Sequence, residues 1–236
     1  MAETSNLGLP LVAPAQAQKH VTVNESFLRL DALTHLSLQS VGASVSPGSP
    51  AEGDVHGVGS GATGLWSGQD SDLAIFQNGG WAFVTPAAGW KGWSVASGTG
   101  VIFDGADWVE GAGALSANGA GFVHRSVEVD YPLGSGATST VTAAIPGNTI
   151  VYGITGRVIA DIGGAASFEI GVAGSTNRYG SGIGATTGAW ARGLTSSPLA
   201  YYSDTDLVLT ATGGTFDGTG TLRLAVHFAE LTLPRA

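Results

Sequence analysis

The sequence predicts a mainly β protein: an extended N-terminal arm and one helix, a small Trp/Gly-rich β-hairpin domain, and a C-terminal antiparallel β-sandwich of jelly-roll type. Three observations carry this. Glycine supplies 38 of 236 residues and charged residues only 11%, so turns are plentiful and the surface is built from hydroxyls and amides. Thr221-Leu222-Arg223-Leu224-Ala225-Val226-His227-Phe228 alternates at the strand period, with Leu222, Leu224, Val226 and Phe228 on one face. Helical periodicity is confined to one N-terminal stretch, and from Gly113 onward the lack of crossover helices argues against a parallel sheet.

Taken in order, the arm contains Pro10 and Pro14 and has little hydrophobic periodicity. Such a segment frays unless it is tied down, so docking onto a partner subunit or a neighbouring copy is expected. Asn24 is placed as N-cap of an amphipathic helix with Phe27, Leu30, Leu33 and Leu36 on its stripe, Leu28 and Leu38 beside it, and an end near Gly42. A lone helix of about 15 residues is marginal in water, so the stripe must pack on its own β domain or on symmetry mates. Ser44 to Ala51, with Pro47 and Pro50, reads as a linker or turn, giving an attachment segment over 1–48 and a hairpin domain over 49–112.

That middle domain carries an internal echo. Ile75-Phe76-Gln77-Asn78-Gly79-Gly80-Trp81 and Ile102-Phe103-Asp104-Gly105-Ala106-Asp107-Trp108 each set an apolar pair, a turn dipeptide and a tryptophan in succession, the mark of a β-hairpin. Trp66, Trp81, Trp90, Trp93 and Trp108 either form its core or offer a sugar-stacking platform, and solvent exposure separates the two.

In the sandwich, residues 113–236, strands are expected at Ser126 to Tyr131, Thr138 to Ile145, Ile150 to Ile159, Ala166 to Val172 and Asp206 to Ala211, besides the run from Thr221. The stretches Asn177 to Gly182, Trp190 to Arg192 and Tyr201 to Asp204 read as loops. Their Arg178, Tyr179, Trp190, Arg192, Tyr201 and Tyr202 form the candidate glycan-binding set, because tyrosine and tryptophan stack on sugar faces while arginine suits carboxylate or sulfate. The alternative is that these residues pack between protomers or cover a sandwich end.

Charge and motif content remove several function classes. A net charge of -9, with Lys19 and Lys91 the only lysines, disfavours nucleic acid and anionic membranes as partners. Met1 to Asn6 lacks a signal peptide's basic and apolar regions, no stretch approaches 18 apolar residues, and the absence of cysteine excludes disulfides. Gly59-Ser60-Gly61-Ala62-Thr63-Gly64 matches G-x-G-x-x-G but opens no helix, and no P-loop, H-E-x-x-H or G-x-S-x-G occurs. His20, His35, His56, His124 and His227 lack metal-ligand spacing, so no metal or other cofactor is expected. The close carboxylates Asp70/Asp72, Asp104/Asp107/Glu110 and Asp204/Asp206 suit solvated turns, although a glycan hydrolase would need such a pair and Asp204 with Asp206 could supply oxygen ligands to Ca²⁺.

The run Leu9-Pro10-Leu11-Val12-Ala13-Pro14-Ala15-Gln16-Ala17-Gln18-Lys19-His20-Val21-Thr22-Val23-Asn24-Glu25 resembles the opening of virion fibre and spike proteins of tailed phages, prophages and gene transfer agents. In that family a domain of unknown function begins with this signature. The resemblance implies a non-enzymatic head-spike or fibre subunit, located in the virion, attached to other virion subunits through Leu11, Pro14, Gln16, Gln18, Lys19 and His20. It also implies a homo-oligomer of three or alternatively five copies, and a sandwich from Ile145 onward that binds host surface or capsular polysaccharide. The competing readings are a capsule-degrading hydrolase and a structural adaptor without a receptor site.

Overall fold

The computed structural model describes residues 3–7, 9–12 and 19–235, and it resolves into two compact units, Met1–Ala120 with Pro234–Ala236, and Gly121–Leu233. The first unit joins helix α1 (Lys19–Leu33) to a seven-stranded sheet of β1 (Ser37–Ala43), β2 (Val55–Val58), β3 (Leu73–Gln77), β4 (Gly80–Val84), β5 (Lys91–Ser94), β6 (Thr99–Phe103) and β7 (Trp108–Glu110), with β8 (Ala112–Leu115) following. The helix is already formed at Lys19, so Asn24 lies inside it and is not its cap, and it stops at Leu33 rather than near Gly42. His35 adopts φ 53°, and the chain leaves as a strand. Leu36 and Leu38 are both buried, and their two-residue spacing belongs to β1.

The sheet order is β4-β3-β2-β1-β5-β6-β7, and central β1 runs parallel to both β2 and β5. Parallel pairs therefore occur in this unit without a crossover helix. The Pro47/Pro50 segment, expected as a linker or turn, is the return loop that brings β2 alongside β1. One face buries Leu38, Val55, Leu73, Ile75, Val84, Val101, Phe103 and Trp108 together with Ala32 of α1 and Leu36. The other carries Val58, Ala74 and Trp66, the last delivered fully buried by a 3₁₀ turn at Gly64–Trp66.

Both echoed segments are hairpins, and the echo has a structural meaning. Phe76 pairs with Trp81 and Phe103 with Trp108, with ring centroids 5.1 and 5.3 Å apart, so each repeat places an aromatic pair across two strands. Asn78 and Gly79, at φ 51° and 71°, form the left-handed two-residue turn of the first hairpin. In the second, Asp104 accepts the N–H groups of Ala106 (3.0 Å) and Asp107 (2.9 Å) and pairs with Arg235. Burial alone would raise the Asp104 carboxyl, but these hydrogen bonds and the guanidinium hold it below the usual range. Trp66 and Trp108 are core residues, Trp81 and Trp90 are half-buried, and Trp93 is 50% exposed, so the core reading describes all of these tryptophans but the last.

The second unit contains β9 (Gly121–Pro132), β10 (Ser135–Gly136), β11 (Thr138–Ile145), β12 (Thr149–Ala160), β13 (Ser167–Val172), β14 (Ser175–Gly184), β15 (Trp190–Tyr201), β16 (Thr205–Thr212), β17 (Phe216–Asp217) and β18 (Thr221–Leu231). Its two main sheets run β15-β12-β18-β9 and β11-β16-β13-β14, while β10 pairs with β17. Counting the eight long strands in chain order, the first sheet holds the sixth, third, eighth and first, and the second holds the second, seventh, fourth and fifth. That is jelly-roll topology. Val151, Ile154, Val158, Leu222, Leu224, Val226 and Phe228 from one sheet meet Phe168, Ile170, Leu207 and Leu209 from the other in a single core. Each such side chain contributes about 1.5–3 kcal/mol on full burial, which must suffice in a chain without disulfides.

His56 gives the first unit a pH signature. Its ring is 6% exposed, with centroids 5.4 Å from Trp66 and 5.7 Å from Trp81, and its Nδ1 lies 2.8 Å from the Ser40 hydroxyl. Burial pushes its pKa below the usual 6.5, against a weaker upward pull from Asp54. Between the folded-state value and 6.5 the unfolded chain therefore binds more protons, so stability is full above 6.5 and falls as pH drops through that window. Thermal melts taken from pH 7 down to about pH 5, above the carboxylate range, should show the melting temperature falling in the native protein and a flatter profile in His56→Phe; equal slopes would remove His56 as the cause.

Candidate functional site

The jelly roll's β15-β12-β18-β9 sheet points alternate side chains away from the core, and along β18 these are Arg223, Ala225, His227 and Ala229. Register aligns them with the neighbouring strands. Trp190, Arg157, Arg223 and Asp130 form one row across the four strands, and Arg192, Thr155, Ala225 and Glu128 form the next. These rows line a groove of about 580 Å³ open to solvent. Three of the unit's five arginines, Arg157, Arg192 and Arg223, converge there, although the unit carries eight carboxylates and no lysine.

The three cations differ in circumstance. Arg223 grips Asp130 through two hydrogen bonds of 2.6 Å and lies 3.6 Å from Glu128. This pairing holds the Asp130 carboxyl below its ordinary range and pushes the guanidinium up. Arg192 sits 5.8 Å from the ring centre of Trp190, whose indole is 62% exposed. Among the described residues Arg157 has no ion pair or hydrogen bond for its guanidinium. Next along the face, the His227 ring stands between two hydroxyls, Nδ1 2.9 Å from Ser126 and Nε2 3.0 Å from Thr155. Farther along, Ile150, Ala200, Tyr201, Tyr202, Ala229 and Leu231 surround a second hollow of about 340 Å³.

The six residues expected to bind glycan are thus divided. Trp190 and Arg192 enter the groove, and Tyr201 and Tyr202 line the second hollow. Arg178 is half-buried on β14, in the opposite sheet. Tyr179 is a core residue at 1% exposure; burial, then its 2.6 Å hydrogen bond with the Tyr201 hydroxyl, raises its phenol pKa. Of the segments expected as loops, 202–204 is the connection between β15 and β16, whereas Asn177 to Gly182 and Trp190 to Arg192 lie in strands β14 and β15, whose glycines hide the alternation. Gly193 shows why one is needed, since a Cβ there would meet the Tyr179 carbonyl oxygen of the neighbouring strand at 2.0 Å. Sequence reasoning passed over Arg157, Arg223, Thr155 and Glu128. Their signal was their place on the polar side of alternating strands.

The arm is tied to its own chain. The buried Asp31 carboxylate of α1 accepts the Thr4 hydroxyl (2.7 Å) and the backbone N–H groups of Asn6 (2.8 Å) and Leu7 (2.5 Å). The Asn24 amide accepts from Val12 N–H and donates to its carbonyl, at 2.8 and 3.1 Å. Of the expected attachment residues, Leu11 is half-buried; Pro14, Gln16 and Gln18 lie outside the described residues, as do the side chains of Lys19 and His20, which open α1.

The carboxylates weighed for chemistry staple loops. Asp204 accepts Gly147 N–H, Asp206 accepts Ala143 N–H, and Asp70 accepts Ala62 N–H, all at 2.7–2.8 Å. Among the described residues no group of three His, Cys, Asp or Glu could hold a metal ion, and no helix is long and apolar enough to cross a membrane.

A family model described as a protein of unknown function, DUF2793, matches residues 23–109, the span from within α1 into β7. No curated protein matches the chain. Among solved structures, the cyanophage Pam1 capsid asymmetric unit is similar at 21% identity and a TM-score of 0.34, over 50% of this chain and 91% of that one.

Two aromatics of the expected set that differ widely in burial, Tyr179 and Trp190, should separate in stability. Tyr179→Ala should cost about 3–5 kcal/mol, as for other fully buried aromatic rings, and Trp190→Ala should stay within about 0.5 kcal/mol; denaturant melts of the two variants measure both.

Proposed function

We propose that the chain is a non-enzymatic virion structural subunit of head-spike or fibre type, which joins the particle through its N-terminal part and binds host surface polysaccharide through the jelly-roll groove. The observation that carries the binding role is the exposed indole of Trp190, with Arg192 stacked on it, in the place where an acidic unit gathers its arginines. A flat ring beside bidentate donors is the arrangement that sugar faces and their polar substituents fit. Support for the virion role comes from the Leu9 to Glu25 signature; the jelly roll, common among capsid and lectin domains, adds only analogy of fold.

Binding is favoured over cleavage by the carboxylates. Glycoside hydrolysis needs two of them, one able to donate a proton. Glu128 is the one carboxylate among the described lining residues, and neighbouring Asp130 is kept ionised by Arg223. Adsorption of particles to host cells tests the role. Trp190→Ala should lower single-site affinity by about 1–3 kcal/mol and reduce adsorption more steeply through multivalency; adsorption at the native level with the fold intact would refute the groove as the site.

Assembly is part of the same reading. Val23, Phe27 and Leu30 share one stripe of α1, and Val23 and Leu30 are exposed, as is Val21 nearby. We propose that copies associate through this stripe, three together, or five if the particle site is fivefold. Light scattering of the isolated protein should give a trimer or pentamer and Leu30→Glu a smaller species; a native monomer would contradict it.

A further inference from the structure

We infer that the groove is selective for acidic glycans, with Arg157 seating the carboxylate of a sugar whose ring lies on Trp190. The inference rests on the polysaccharide-binding reading and adds the ligand's charge and its contact residue.

The argument begins with the inequality of the three guanidinium groups. Arg223 is already neutralised by Asp130 in a two-point contact, with Glu128 near by. Arg192 lies against the Trp190 ring. Arg157 stands in register between Trp190 on β15 and Arg223 on β18, and no acceptor reaches it among the described residues. In a unit with eight carboxylates for five arginines, acceptors are in excess, so an arginine left without one in a groove is a vacancy for an anion from outside. Directly paired residues on adjacent strands lie about 5 Å apart. That is one pyranose ring's reach, so a hexuronate stacked on Trp190 presents its carboxylate to the Arg157 fork.

The same geometry excludes a polyphosphate chain. Glu128 and Asp130 place negative charge on the β9 side of the groove, leaving Arg157, and Arg192 against the single stacking ring. Nucleic acid strands need a cation track and successive aromatic platforms. One ring and one fork match one acidic sugar per site.

The test uses the full chain against four acidic polysaccharides (polygalacturonate, alginate, hyaluronate and chondroitin sulfate), each beside its carboxyl-reduced form, and a single-stranded DNA oligonucleotide. The native protein should bind at least one acidic polymer about tenfold tighter than its reduced form. Arg157→Gln should abolish that difference without weakening the reduced form, Trp190→Ala should weaken both, and Lys91→Gln in the other unit should change neither. Equal affinity for each acidic and reduced pair would overturn the charge selectivity and leave glycan binding standing. Binding to none of the eight polymers would overturn both readings, and tighter binding of the oligonucleotide would replace the ligand class. Unchanged melting temperatures for Arg157→Gln, an exposed residue, keep these outcomes free of folding effects.

Discussion

The pairing of β12 with β18 is the constraint on which the second unit depends. The two strands stay in register from Thr149 opposite Glu230 to Ala160 opposite Thr221, with irregularities between Val151 and Gly153 and between Val158 and Ala160. Because side chains alternate, this one register sends Val158, Leu222, Leu224 and Val226 inward and Arg157 and Arg223 outward. A slip of β18 by one residue would put the Arg223 guanidinium into an apolar core and expose Leu222 and Leu224. The core's apolar burial and the groove's charge are therefore selected by the same hydrogen-bond ladder, and neither can shift without the other.

The first unit relies on polar groups placed where hydrocarbon would be simpler. Asp31 is buried and acts as a receptor for three donors of the arm, and Asn24 reads the backbone of Val12 as a neighbouring strand would. The aromatic layer is less complete. His56 Nε2, Trp66 Nε1 and Trp108 Nε1 are buried without partners among the described residues, each forgoing about 1–3 kcal/mol of hydrogen bonding. The bulk of the indoles fills a small domain that has little else to bury, and that gain offsets the unmet donors.

Legibility in the sequence followed the range of the interaction. The two hairpins could be read from Asn78-Gly79 and Asp104-Gly105 because turn chemistry is local, and the strand from Thr221 because its sequence alternates cleanly from Leu222 to Phe228. The helix end was misplaced since Leu33, Leu36 and Leu38 satisfy a helical spacing and a strand spacing in turn. Strands β14 and β15 were missed because glycines interrupt the pattern, Gly182 at a positive φ of 64° and Gly193 where the backbone of Tyr179 on β14 approaches too closely for a side chain. The groove was half legible. Trp190 and Arg192 stood out as a local pair, whereas Arg157 and Arg223 meet only through a pairing of distant strands, and Tyr179 looked like a ring for stacking although its partner is the core.

Chain order within the two sheets also sets when the protein can fold. In the jelly roll the first strand, β9, finds its partner in the last, β18, with Phe122 opposite Leu231. In the first unit β1 waits for β5, with Ser37 opposite Trp93. Contacts of such long sequence separation close slowly, because loop entropy must be surrendered before any burial rewards it. During synthesis the sandwich therefore has an open seam beside β9 until β18 has left the ribosome. The nascent edge, which includes Val127 and Val129, is the part of the molecule most exposed to chaperones and to wrong partners before the final strand arrives.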